Sequence, residues 1–206
     1  MGLIQKYILP KEVDFNAALL VQVNASRDTV LDLCQYYFEN DIQSLKMIIQ
    51  DERKCRAYKK KNMHELLDVF ITPYDPESIY RIIDQLSWMA LSVKHLATDL
   101  LIYKVSLPED YRLIFTLLKQ MANALAEGFV FLGQKKFNDI SRTVNSIYEH
   151  YDETFEQCSL TAARHLEQDE ITAYLAFREI LNQLKEVAKR IHVSANSLED
   201  LAIKIV

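Results

Sequence analysis

Apolar residues recur at every third or fourth position along most of this chain, which is the spacing of one buried face on an α-helix. One such stripe lies mid-chain and comprises Ile79, Ile82, Ile83, Leu86, Ala90, Val93, Ala97, Leu100 and Leu101. A second, near the C-terminus, comprises Leu181, Leu184, Val187, Ile191, Ala195, Leu198 and Leu201. The pattern predicts six helices, at about 13–39, 41–70, 76–105, 106–133, 137–165 and 170 to the C-terminus.

Turn residues are scarce, and those present mark helix boundaries. The chain has three glycines and four prolines, fewer than a sheet protein of this length needs for its turns, so the fold is predicted to be all-α. Asp75 followed by Pro76 predicts an N-cap and the first helical position of helix 3. The segment Ser106-Leu107-Pro108-Glu109 has the spacing of a capping box and predicts the start of helix 4.

A weak internal repeat relates the two halves of the chain. Asp99-Leu100-Leu101-Ile102 matches Asp200-Leu201-Ala202-Ile203 at an offset of 101 residues, and the same offset pairs Ile79 with Ile180, Leu86 with Val187, and Val105 with Val206. Helical periodicity alone also produces some such matches. The hypothesis is one domain over 1–206, made of two three-helix repeats at about 13–105 and 106–206 that bury their stripes against each other.

Composition and charge exclude several classes of protein. A net charge of −5 argues against a nucleic-acid-binding domain, which is normally basic. Three widely spaced cysteines form no disulfide framework, and this favours a reducing compartment. No signal-peptide pattern and no apolar stretch long enough to span a bilayer is present, so a cytoplasmic protein is expected.

Candidate catalytic and metal-binding residues are few. The sequence lacks GxSxG, Walker-type and GxGxxG motifs, so no catalytic residue and no cofactor is predicted. Glu149 and Glu153 have the spacing of paired metal ligands on one helix face, but no other helix supplies matching carboxylates. Glu52 is followed four residues later by Arg56, and these two predict an ion pair on a helix surface.

The sharpest charge feature is a basic segment at 53–61, which has six basic residues in nine. It would contact an anion, an acidic protein loop or a cytoplasmic membrane surface, or it would simply form a solvated helix face. The residues concerned are Arg53, Lys54, Arg56, Lys59, Lys60 and Lys61.

Four segments of the sequence together match the pattern of one known family. The segment Phe70-Ile71-Thr72-Pro73-Tyr74-Asp75-Pro76-Glu77-Ser78-Ile79 is similar to that family's turn before helix 3. The others, in chain order, are Leu9-Pro10-Lys11-Glu12-Val13-Asp14-Phe15, Leu100-Leu101-Ile102-Tyr103-Lys104 and Arg178-Glu179-Ile180. These segments resemble the PhoU-like family of Pit accessory proteins (the YkaA type). The resemblance implies a six-helix fold of two repeats and a regulator of inorganic phosphate uptake that pairs with a Pit-type permease.

The wider family holds iron or zinc through acidic motifs, and here this chain departs from the pattern. The positions that would carry those motifs have Arg56 in helix 2, and Ser87, Trp88 and Leu91 in helix 3. In helix 6 they have Lys189, His192 and Val193. Because hard cations need several oxygen ligands, the family metal site is predicted to be absent. Trp88 is predicted to fill the interior.

Three functions remain open. The first is a non-enzymatic regulator of phosphate transport that contacts a membrane permease, with the protein at the inner face of the membrane. The second is a helical scaffold with another protein partner. The third is a metal-dependent bundle enzyme that uses Glu149, Glu153 and His192. The apolar residues Leu3, Ile4 and Ile8 would either support a homodimer or fold back.

Overall fold

The structure is a computed structural model that describes residues 13–168 and 170–204. Within these ranges it has six α-helices, one 3₁₀ turn and no β-strand. The helices are α1 (Phe15–Glu39), α2 (Ile42–Asp68), α3 (Pro76–Tyr103), α4 (Arg112–Gly133), α5 (Phe137–Gln168) and α6 (Ile171–Ile203). The predicted all-α fold with six long helices is confirmed. The sequence predictions made for Leu3, Ile4, Ile8, the segment Leu9–Glu12 and Val206 lie outside the described residues.

Aspartates begin the first three helices. The side chains of Asp14, Asp41 and Asp75 each accept a hydrogen bond from a backbone N–H in the first turn, and Asp75 caps α3 as its sequence predicts. Asn40 and Lys104 end α1 and α3 in the left-handed conformation.

The predicted capping box at 106–109 is wrong. Pro108 is extended and offers no side-chain cap, a 3₁₀ turn covers Glu109–Tyr111, and α4 begins only at Arg112. A contact from another helix holds this turn, because the Tyr37 hydroxyl of α1 donates to the carbonyl oxygens of Pro108 (3.0 Å) and Glu109 (3.2 Å).

The two predicted stripes form the core. Every stripe residue of α6 is buried, and so is every stripe residue of α3 except the half-buried Leu101. The repeat also holds in burial: Ile79 and Ile180 are fully buried, whereas Ile102 and Ile203, at the same offset, are exposed. The apolar spacing of the two stripes is therefore sufficient to predict these core positions without knowledge of the tertiary contacts.

The helices contact each other in the same order in both halves. In the first half α1, α2 and α3 contact one another, and α4, α5 and α6 do the same in the second half. Between the halves α1 packs on α4 and α3 packs on α6, so each of these helices meets its own counterpart. Such pairing is what a pseudo-twofold axis between two three-helix repeats requires, and the predicted architecture is confirmed.

Buried polar side chains fix the first three helices against one another. Gln22 of α1 donates to the Ile83 carbonyl of α3 (2.7 Å) and accepts from the Asn62 amide of α2 (2.8 Å). Ser26 donates to the carbonyl of Leu86 (2.9 Å). Since a buried polar group must be hydrogen-bonded, these contacts fix the register of α1 against both α2 and α3. None of the helices in the described ranges is long and apolar enough to cross a membrane.

Candidate functional site

Residues that the sequence singled out on two separate helices line one cleft. This cleft, called here the α2–α3 cleft, has a volume of about 490 Å³. It is lined by Glu52, Arg56, Lys59, Lys60, Met63, Ser87, Trp88 and Leu91. It therefore lies where the resemblance would place the first metal motif, but three cationic side chains and a single carboxylate line it.

The predicted ion pair of Glu52 with Arg56 forms, but its placement on the helix surface is wrong, because the Glu52 carboxylate is buried in the cleft. Its side chain is only 4% exposed. Arg56 donates from Nε (3.1 Å) and Nη2 (2.7 Å) to Oε1 and from Nη2 to Oε2 (2.9 Å). Lys94 of α3 lies 3.4 Å from Oε2. Two cations from two helices therefore pair with this carboxylate where it is shielded from water.

Trp88 lies on the wall of the cleft, and the prediction that it fills the interior is wrong. Its side chain is 42% exposed, and its indole N–H donates to Asp84 (3.2 Å). Asp84 also accepts from the Lys59 ammonium of α2 at 2.5 Å. The Arg190 guanidinium of α6 lies 5.2 Å from the Trp88 ring centroid, within cation–π range. The ring is therefore held by polar contacts at the cleft mouth.

The basic segment divides around the circumference of α2. Arg56, Lys59 and Lys60 line the α2–α3 cleft, while Lys60 and Lys61 also line a neighbouring groove. Lys54 points toward α1 and pairs with Asp51 at 2.6 Å, and Arg53 is exposed. The segment therefore supplies charge to more than one surface of α2.

The metal candidates in the second half are not brought together. Glu149 and Glu153 are exposed on α5. His192 of α6 lies against the rings of Tyr148 and Tyr151, with centroids 4.8 and 4.5 Å away. Burial lowers its pKa, and the charge of Asp152 opposes that shift. In the ranges that the structure describes, no three His, Cys, Asp or Glu side chains are grouped to hold a metal ion.

The three cysteines are buried thiols. Burial raises the pKa of Cys34 and Cys158 to about 12 and that of Cys55 to about 11. Because the thiolate is the nucleophile, these side chains are poor candidates for nucleophilic catalysis at neutral pH.

A second cleft, between α1 and α2, lies beside a strongly perturbed carboxyl group. The cleft has a volume of about 400 Å³ and is lined in part by Asp28, Asp51, Lys54 and Tyr58. Burial raises the pKa of the neighbouring Asp32 to about 7, with further contributions from its hydrogen bond to Asp51 and from the charges of Asp51 and Asp28. Asp32 therefore keeps its proton in the folded protein up to near-neutral pH.

This proton makes stability depend on pH. Since the pKa of Asp32 is raised from 3.8 to about 7, the folded state binds more protons than the unfolded state in that interval. The contribution of Asp32 to the free energy of unfolding is therefore present at low pH and is lost as the pH rises through about 7. In the variant Asp32→Asn, the free energy of unfolding should fall less steeply between pH 3.8 and about pH 7 than in the wild type. Urea unfolding at a series of pH values measures this slope. An unchanged slope in the variant would contradict the raised pKa of Asp32.

Sequence reasoning missed three residues that contact the lining of the α2–α3 cleft: Asp84, Lys94 and Arg190. Asp84 lies one turn before Trp88 on α3, so its bond to the indole was accessible from helical spacing. Lys94 and Arg190 gave no such signal, because each meets its partner only through the packing of separate helices.

The arrangement of helices defines this chain as a protein with the PhoU-like fold. Over 93% of its length it superimposes on a PhoU-like protein from Shewanella oneidensis MR-1 with a TM-score of 0.80 at 10% identity, covering 100% of that chain. A PhoU-like phosphate regulatory protein from the same organism gives 0.78 at 10% identity, again over 93% of this chain and 100% of that one. The phosphate transport system regulatory protein PhoU from Streptococcus pneumoniae gives 0.74 at 14% identity, over 93% and 95%. No protein-family model matches the sequence, and no curated protein matches it significantly.

Proposed function

We propose that this protein is a divergent PhoU-like regulator of inorganic phosphate transport, acting in the cytoplasm by contact with a Pit-type permease and without catalysing a reaction. The observation that carries the proposal is the fold likeness along 93% of the chain to a PhoU-like protein and to two proteins described as phosphate regulators. The segments of the sequence that resemble Pit accessory proteins support the choice of a Pit-type permease. The buried thiols and the exposed, unclustered Glu149 and Glu153 support a role in binding rather than catalysis.

The surface best suited to the permease is the C-terminal end of α2 and the residues after it, called here the α2 end surface. Three large apolar side chains are exposed there: Leu67 by 84%, Phe70 by 86% and Ile71 by 74%. Lys60 and Lys61 lie beside them and, with Leu67, line a mostly apolar groove. Exposed apolar patches of this kind bordered by polar residues are typical of interaction sites. Exposed apolar side chains next to two lysines suit a partner that has apolar and acidic residues at the inner face of a membrane.

Affinity purification from native membranes tests the proposal. The tagged protein should recover a phosphate permease, and the double variant Leu67→Ser, Phe70→Ser should recover at least about tenfold less, because two apolar side chains lose their burial in the contact. The matched control is Ile102→Ser with Ile203→Ser, which removes two exposed apolar side chains elsewhere. Failure to recover any phosphate permease from membranes that contain one would contradict the proposal. A homodimer through the same surface would instead appear as a change in elution volume between the wild type and the double variant.

The second candidate is a helical scaffold that binds a different protein. The observation in its favour is the α2–α3 cleft, where Arg56, Trp88 and Leu91 occupy positions that the resemblance would assign to metal ligands. If this protein is a scaffold, the affinity purification should recover one specific protein other than a phosphate transporter. Deletion of the gene that encodes this chain should then leave phosphate uptake unchanged. If this protein is a regulator, the same deletion should alter phosphate uptake when the phosphate supply is changed from scarce to abundant.

A further inference from the structure

The α2–α3 cleft carries an excess of positive charge in a protein that is acidic as a whole. Arg56, Lys59 and Lys60 line it, and Lys94 reaches its base from α3. Among the residues that the structure describes, the carboxylates of Glu52 and Asp84 pair with three of these four cations. The local excess is therefore two positive charges, in a cleft whose volume is in the range of small-ligand sites.

Several hydrogen-bond donors in the cleft remain available to a ligand. Arg56 uses Nε and Nη2 on Glu52, which leaves the two N–H groups of Nη1, and its side chain is 63% exposed. Lys60 is exposed and makes no ion pair with any residue that the structure describes. The Lys59 ammonium has one bond to Asp84 and two further protons, and Ser87 lines the opposite side.

The same geometry argues against a cation in this cleft. Of the described residues that line it, Glu52 alone carries a carboxylate, and Arg56 and Lys94 already contact both of its oxygens. A hard cation would need several more oxygen ligands, which Trp88, Met63 and Leu91 cannot supply. A ligand that enters here must bring negative charge.

We propose that the α2–α3 cleft binds a phosphate group, held by Arg56, Lys59 and Lys60, with the Ser87 hydroxyl as a further donor. A planar guanidinium and flexible ammonium groups are the usual protein partners of phosphate oxygens. The choice of phosphate among tetrahedral anions rests on the proposed function, whereas the preference for an anion rests on the cleft alone. Binding would give the regulator a direct reading of the ion whose transport it controls.

Two sources can supply this group: free inorganic phosphate, or the headgroup of a phosphomonoester lipid. The cleft adjoins the apolar groove of the α2 end surface, since Lys60 and Met63 line both. A lipid headgroup would therefore reach the cleft only if the protein lies on a membrane, whereas free phosphate needs no membrane.

The fluorescence of Trp88 tests the proposal, because it is the only tryptophan in the chain and it lines the cleft. Sodium phosphate, titrated at constant ionic strength with chloride as the balancing ion, should give a saturable change in emission. The double variant Lys59→Gln, Lys60→Gln should weaken the apparent affinity at least about tenfold, since each change removes a charge-assisted contact. Lys46→Gln is the matched control, an exposed lysine on α2 outside the cleft, and should leave the affinity unchanged.

The outcomes separate the site from the proposed function. A saturable change that the double variant loses supports the site, whatever the membrane purification recovers. No saturable change with phosphate, or an equal affinity in the wild type and the double variant, overturns binding of free phosphate. The lipid source is then measured by sedimentation with phosphatidylcholine vesicles that contain or lack phosphatidic acid, again comparing wild type with the double variant. If neither inorganic phosphate nor phosphatidic acid discriminates between them, the phosphate site is wrong even where the permease is recovered.

Discussion

Replacing Arg56 by Met is expected to lower the free energy of unfolding by about 2–4 kcal/mol, far more than the loss of an ordinary surface ion pair. The cost comes from Glu52, whose side chain is 4% exposed and would keep only Lys94, at 3.4 Å, as its partner. Glu52→Gln should cost about 1 kcal/mol, because an amide of the same shape still accepts a hydrogen bond from Arg56. Chemical denaturation with urea measures both.

The double variant Glu52→Gln, Arg56→Met should recover much of the loss, since no buried charge is then left without its partner. Arg142→Met is the matched control, because its partner Asp139 lies at 3.4 Å in an exposed pair, and its expected cost is about 0.5 kcal/mol or less. Equal losses for Arg56→Met and Arg142→Met would contradict the description of Glu52 as a carboxylate that depends on buried pairing.

Phe115→Ala is expected to cost about 3–5 kcal/mol, because it opens a cavity between the two halves of the molecule. Phe115 of α4 is fully buried and stacks on Tyr37 of α1, with ring centroids 4.2 Å apart and an angle of 6° between the planes. Among the described residues, these two helices form one of the two helix–helix contacts between the halves. The melting temperature should fall by roughly 10 °C, measured by circular dichroism.

Phe70→Ala is the matched control for this prediction. Phe70 is 86% exposed, so the same chemical change should alter the free energy of unfolding by no more than about 0.5 kcal/mol. A small effect at Phe115 would mean that the α1–α4 contact contributes little. A large effect at Phe70 would mean that its side chain is covered in solution, which would remove it from the α2 end surface.

The resemblance marks the place of a lost metal motif, but the sequence does not predict the cleft that the structure forms there. Glu52, Arg56, Ser87, Trp88 and Leu91 were singled out by resemblance and do line one cleft. Burial of Glu52 was missed because its spacing from Arg56 is that of any exposed ion pair, and nothing local indicates that Lys94 will close over it. Trp88 was placed in the interior because a large aromatic ring is usually buried, whereas Asp84 and Arg190 hold it at the surface.

Local patterns by themselves determined the helices and the core of this protein. Burial of Ile79, Leu86, Leu184 and Leu198 followed from apolar spacing, because the period of an α-helix is a property of the backbone and needs no tertiary contact. Only the tertiary structure decided which charges are buried and where α4 begins. Those outcomes depend on Lys94 and Tyr37, which reach their partners from helices distant in the chain, and the free energy of a buried charge or a held turn is set by such neighbours rather than by sequence spacing.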